Sequence, residues 1–240
     1  MGLLKRAKTT LSEQGLRVFL HKMLIFIEML LSNIFRILLP ATTYWKLMRR
    51  YHNLKRRDVT KYDSSVDPFE IHWIDPDSIQ YRSDRTDRYR HPIHRFSLIG
   101  RVSAGDWDRM KGRLSERTFE DRGDYQAFVQ RFQEGKDWSD ITCISEDSKT
   151  RDPYYDKLYE EIAENGYQSQ FELLEAGKST RTFRQAICNE IAIDIGRNGE
   201  PLFVDGSHRL SVAKILDVDE IPVVVYHRHE LYLNEEPSEL

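Results

Sequence analysis

Residues 200–226 constrain the fold of this chain more than any other stretch. Glu200 to Val204 is a short apolar run of the kind that forms a buried strand. Asp205-Gly206 breaks it, and Gly206, lacking a Cβ, lets the backbone turn sharply or approach a neighbour closely. From Ser207 the period changes to that of a helix. Leu210, Ala213 and Leu216 share one face, with Val212 and Ile215 beside it. Ile221 to Tyr226 is β-branched and apolar, with Pro222 tolerable near a strand start. The order is therefore strand, tight turn, helix, short loop, strand. A polar turn that opens a helix presents free N–H groups and the positive end of the helix dipole, both suited to phosphate. Arg209, in the first turn, adds a forked donor.

The run Gly206-Ser-His-Arg-Leu-Ser-Val-Ala-Lys-Ile-Leu, followed by Glu220-Ile-Pro-Val, resembles the signature of the ParB/sulfiredoxin superfamily. In that superfamily a Gly-x-x-Arg turn opens a helix, an Ala packs the helix, and an Ile-Pro-Val strand follows. The Asp-Gly-x-His-Arg form looks closest to the branch that includes ParB-like free serine kinases. The resemblance covers residues 185–229, with a first strand near Phe69–Ile79. It implies a mixed α/β (α+β) ParB/sulfiredoxin-like domain whose turn binds nucleotide phosphates through Gly206, Ser207, His208 and Arg209.

Departures from the relatives narrow the expectation. Sulfiredoxin carries its reactive Cys directly before the His-Arg pair; Ser207 stands there in this chain, which argues against sulfinic acid reduction. Partitioning ParB proteins continue into a DNA-binding domain, whereas here an acidic tail, Glu230 to Leu240, follows, so no DNA is expected. The expectation is a phosphotransferase, resembling a kinase, that uses ATP or another nucleoside triphosphate with Mg2+. The acceptor is the hydroxyl of a small molecule, a sugar or a lipid-linked substrate. Asp205 or Glu190 serves as base, and Asp205 is the candidate magnesium ligand. His208 either contacts phosphate and moves a proton, or orients the turn. The alternative is a non-catalytic nucleotide-binding switch or scaffold.

Glu190 enters from strand alternation. In Glu190-Ile-Ala-Ile-Asp-Ile, Glu190, Ala192 and Asp194 fall on one face and Ile191, Ile193 and Ile195 on the other. Gly177-Lys-Ser-Thr lacks the upstream glycine and strand of a P-loop. Lys178, Arg181 and Arg184 remain either phosphate-facing or solvent-exposed. Asp106 and Asp108, around Trp107, are either helix caps or ligands for a metal or hydroxyl. His227 and His229 share a strand face, a weak metal signal on its own. Cys143 and Cys188 are too few and too far apart for a disulfide scaffold.

The N-terminal quarter carries a different pattern. The chain as a whole is near neutral, with 36 Lys and Arg against 39 Asp and Glu. Its first quarter is nevertheless basic, with Lys5, Arg6, Lys8, Arg17, Lys22, Lys46, Arg49, Arg50, Lys55, Arg56 and Arg57. Leu16 to Leu39 reads as a long apolar helix ended by Pro40, interrupted by Arg17, Lys22, Glu28 and Arg36. Tyr44 to Arg57 reads as a second helix, basic and interleaved with aromatic residues, a pattern suited to anionic headgroups. Three readings stay open: a monotopic hairpin on the membrane surface, a helix packed on the domain or on a second subunit, and a true span. The expected division is a helical membrane-associated segment over 1–57 and the nucleotide-binding domain over 58–240. The expected location is the cytoplasmic face of the membrane, with the cytoplasm as alternative and homo-oligomers possible through the N-terminal helices.

Overall fold

A computed structural model describes residues 3–56, 67, 69–83, 101–103, 118–229 and 231–232. Asp106, Trp107 and Asp108 lie outside the described residues, as does the Arg-rich stretch 84–95. The α/β expectation holds: helices pack on both faces of a mixed sheet.

Among the described residues the sheet has six strands: β1 (Ile71–Ile74), β2 (Tyr81–Arg82), β3 (Arg101–Ser103), β4 (Ile191–Ile195), β5 (Pro201–Asp205) and β6 (Ile221–His229). Five run in the order β1-β6-β4-β5-β2, and β3 pairs with the far end of β6. β4 and β5 form an antiparallel hairpin closed by a turn at 196–200. β6 is parallel to β4 and antiparallel to β1. Pro222 sits opposite Trp73 at the start of β6, as its missing N–H requires.

The helices are α1 (Leu3–Leu38), α2 (Ala41–Arg56), α3 (Gly123–Phe132), α4 (Glu146–Lys149), α5 (Asp152–Asn165), α6 (Gln170–Glu175), α7 (Phe183–Ile187) and α8 (Ser207–Ile215). α6 and α7 each start with a reciprocal capping box, Ser169 with Glu172 and Thr182 with Gln185, which satisfies their first free N–H groups. Gly166 and Gly177 follow α5 and α6 with positive φ, as expected of helix stops.

The strand alternation read from 190–195 sets the two core faces. Ile191, Ile193 and Ile195 pack with Phe203, Leu210 and Ala213, so α8 covers that side of the sheet. Ala192, Val224 and Tyr226 face the other way, onto Phe183, Ala186 and Ile187 of α7 and onto Tyr44, Trp45 and Met48 of α2. The outer side of α8 is covered in turn: Val212 packs with Ala127 and Phe128 of α3 and Tyr155 and Ile162 of α5. The turn that opens α8 therefore lies under α3 and α5.

The inner face of α2 is core. The Trp45 ring meets Phe183 at 4.7 Å and Phe171 at 5.2 Å. Tyr44 is fully buried, and its hydroxyl joins three elements: it lies 2.7 Å from the Ser32 hydroxyl of α1 and accepts the Phe183 backbone N–H of α7 at 2.7 Å. No helix among the described residues is long and apolar enough to cross a membrane.

Removing the Tyr44 hydroxyl strands a buried N–H. Tyr44→Phe is expected to cost about 1–3 kcal/mol, and Trp45→Ala about 3–5 kcal/mol. Urea unfolding of the full chain checks both. Values near zero would mean that α2 does not belong to the folded core.

Candidate functional site

The site is organised by the turn between β5 and α8. Gly206 adopts φ 93° and ψ 30°, the left-handed region that favours glycine. A Cβ there would lie 3.1 Å from Ile191 Cα and 3.2 Å from Ile191 Cγ1. The turn is pressed against the start of β4, which brings Glu190 and the first turn of α8 together. Asp205 caps the turn, its Oδ1 accepting the Gly206 N–H at 2.9 Å, and its backbone pairs opposite Ala192 across a bulge in β4.

Successive helical residues point about 100° apart, so Ser207, His208 and Arg209 cannot converge on one ligand from one side. Ser207 and His208 turn towards α3 and α5. The Ser207 side chain hydrogen-bonds the Asp124 carboxylate, which also receives Arg122 Nε and Nη2, each at 2.8 Å. Burial pushes Asp124 up, but the bonds from Arg122 and Ser207 outweigh it and hold the carboxyl below its ordinary range. An internal carboxylate thus occupies the neighbourhood of the α8 N-terminus, where negative charge is favoured. His208 stacks on Phe128 at 5.7 Å, nearly parallel, and meets Tyr155 at 4.8 Å. Burial lowers its pKa against the pull of Asp124.

Arg209 turns the other way, into a cavity of about 150 Å³ between α5, α6 and the β4 end of the sheet. Tyr154, Tyr167, Gln170, Arg181 and Asn189 also line it. Glu190 lies behind this wall. It is 1% exposed, and its Oε1 accepts the Gln170 backbone N–H at 2.5 Å. Its Oε2 is buried without a hydrogen-bond partner, as is the Tyr167 hydroxyl. Burial drives the Glu190 pKa from 4.5 up to about 7, with Arg209 and the Gln170 N–H pulling the other way. Burial likewise raises the Tyr167 hydroxyl.

The predicted residues thus divide. Glu190 and Arg209 come together beside the cavity. Ser207 and His208 face the α3–α5 side. Asp205 stays in the turn. Arg181, which the sequence left between phosphate and solvent, reaches the cavity rim and donates Nη1 to Gln170 Oε1 at 3.2 Å. Tyr167, Gln170 and Asn189 carry no sequence signal; α6 and the segment before β4 bring them in. Asp124 and Arg122 were equally invisible, because nothing near Gly123 marks them as partners of a turn 83 residues downstream.

A second polar cluster is buried within the sheet. Asp194 accepts the Ser83 hydroxyl at 2.6 Å on Oδ2, and its Oδ1 lies 3.0 Å from His227 Nδ1. His229 instead accepts the Leu231 N–H at 3.2 Å. The two histidines therefore do different things, and no group of three His, Cys, Asp or Glu converges among the described residues. No family model, no curated protein and no solved structure matches this chain.

Glu190 gives a pH prediction. A carboxyl whose folded pKa lies above its unfolded value contributes its stability below the unfolded value and loses it as pH rises through the folded one. That contribution is complete below about pH 4.5 and fades as pH climbs through about 7. Glu190→Gln removes the titration, so the variant should gain on the wild type between pH 5 and pH 8–9, by up to about 3 kcal/mol. Thermal unfolding across that window checks it; a constant difference would show that Glu190 ionises freely.

Proposed function

We propose that this protein is a nucleotide-dependent phosphotransferase acting on the hydroxyl of a small-molecule, sugar or lipid-linked acceptor. The observation that carries the reading is one side-chain pairing. A buried carboxyl with a vacant oxygen and a pKa of about 7, Glu190, stands beside Arg209, which lines a cavity with Arg181 on its rim. A general base works best with a pKa near the operating pH, and two guanidinium groups provide forked donors for phosphate. The resemblance of Gly206-Ser-His-Arg to nucleotide-binding turns of the ParB/sulfiredoxin type adds to it.

A nucleoside triphosphate with magnesium would supply the transferable phosphoryl group and neutralise the charge that develops on it. Asp205 is the carboxylate that the sequence offers for magnesium, but it sits in the turn on the Gly206 N–H and does not line the cavity, so it would hold the ion only at a phosphate reaching from the cavity to the turn. The cavity has room for a phosphoryl group and a small acceptor, so a nucleoside lies outside it, near exposed Tyr154 and Arg181. Arg209 and Arg181 hold and orient the phosphate. Glu190 Oε2 would take the proton of the acceptor hydroxyl as the acceptor oxygen attacks the phosphorus and the nucleoside diphosphate leaves, a step that requires the wall of Tyr167 and Gln170 in front of the carboxyl to open. The apolar wall of Leu158 and Ile162 limits water at the reacting oxygen.

One observation favours the non-catalytic switch. The α8 N-terminus already faces the Asp124 carboxylate, and His208 is held between Phe128 and Tyr155. A phosphate placed at Ser207 would compete with an internal anion, as in a module that closes and opens without turnover.

Incubation of the full chain with ATP or CTP, Mg2+ and a panel of alcohols separates the readings. Turnover should yield a nucleoside diphosphate and a phosphorylated alcohol. Arg209→Ala should weaken nucleotide binding by about 10–100-fold, the worth of a charge-assisted bond. Glu190→Gln should keep binding and lose product. Binding without product supports the switch; a chain that binds no nucleotide sinks both.

A further inference from the structure

The α1–α2 hairpin presents an apolar surface that no described residue covers, and this surface is independent of the cavity chemistry. α1 is 36 residues long, about 54 Å. One side of it is tied to α2: Ser32 meets Tyr44, and Glu28 lies 3.7 Å from His52. These two, with Arg36, recur at four-residue spacing and form the inner line of the helix. Among the described residues the opposite side is apolar and exposed. Leu24, Ile37 and Leu38 are 62%, 72% and 71% exposed, and Leu30, Leu31 and Ile34 lie among them. From Leu16 to Leu38 the exposed apolar side chains cover roughly half the circumference, far wider than the narrow seam of a coiled coil.

Charge says what fits there. Residues 1–57 carry twelve Lys and Arg against two acidic residues, Glu13 and Glu28. Glu28 is turned inward beside His52. Lys22, Lys46 and Arg50 are exposed. A second copy of this chain, joined through a two-fold interface, would lay this basic hairpin against itself. An anionic lipid surface complements it: acyl chains take the apolar arc and headgroups take the cations.

We propose that the α1–α2 hairpin lies in the plane of an anionic membrane, with the exposed arc of α1 immersed and Lys22, Lys46 and Arg50 at the headgroups. The hairpin then fixes the sheet domain to the surface through the same α2 whose other face is core.

The test uses the full chain and sedimentation with phosphatidylcholine vesicles, with and without phosphatidylserine. The expected result is strong binding to the serine-lipid vesicles and weaker binding to the neutral ones. High salt should weaken binding only in part, and detergent should release the chain. Leu24→Asp with Leu31→Asp should abolish sedimentation while leaving circular dichroism and the melting temperature unchanged, because both side chains are exposed. Lys46→Gln with Arg50→Gln should lower partitioning about fivefold per cation removed. Four results overturn the proposal. A soluble dimer in sedimentation equilibrium, indifferent to vesicles, assigns the face to a second copy. A soluble monomer indifferent to vesicles assigns it to the chain's own segments. Protease protection on both sides of the bilayer makes α1 a span. Binding that survives both double substitutions places the membrane contact elsewhere.

Discussion

The contact between Gly206 and Ile191 sets the geometry of everything around it. The chain leaves β5 at the sheet edge of β4 and must start a helix that lies across Ile191, Ile193 and Ile195. A Cβ at this position would crowd the Ile191 backbone at 3.1 Å, and the positive φ of the turn is strained for any residue but glycine. Because the turn is seated, α8 lies down on the sheet and its first residues stand next to the residue that precedes β4. That residue is Glu190. The proximity of Arg209 and Glu190, 19 positions apart in sequence, is a consequence of the packing of one glycine.

Burial then does different things to the carboxylates of this fold. Asp124 is well supplied with donors from Arg122 and Ser207, and it stays ionised below its ordinary range. Asp194 is nearly inaccessible but has a hydroxyl on one oxygen and a histidine on the other, joining the ends of β2, β4 and β6. Glu190 has one backbone N–H and an empty second oxygen, and desolvation dominates. A polar group left half-satisfied behind the wall of a cavity costs stability. The contrast with half-buried Asp124 and buried Asp194 sets Glu190 apart.

The hairpin shows the same economy of faces. Tyr44, Trp45 and Met48 of α2 enter the core beside Phe183 and Phe69, while Leu47, Tyr51 and Leu54 remain exposed. In the sequence all six form one basic, aromatic pattern, equally consistent with a membrane helix and a packed one. The structure places the inner face of α2 in the core and leaves its outer face exposed.

The sequence by itself determined the local elements wherever periodicity was strong. The strand, turn, helix and strand of 201–229, the two-faced strand of 191–195 and the two N-terminal helices follow from side-chain alternation, a glycine and a proline, all of them short-range in origin. It also picked out Glu190, Asp205 and the Gly206–Arg209 turn as polar groups in an apolar context. It did not reveal the short helices 146–149 and 183–187, whose few residues carry too little periodic pattern, nor which side of α8 each turn residue would face. Tertiary structure alone decided that Ser207 and His208 meet Asp124, Phe128 and Tyr155 while Arg209 lines a cavity with Tyr167 and Arg181, near enough to Glu190 to bear on its charge. The reason is geometric: a helix turns its successive side chains about 100° apart, and which neighbour waits in each direction depends on residues such as Asp124, 83 positions before Ser207 in the chain.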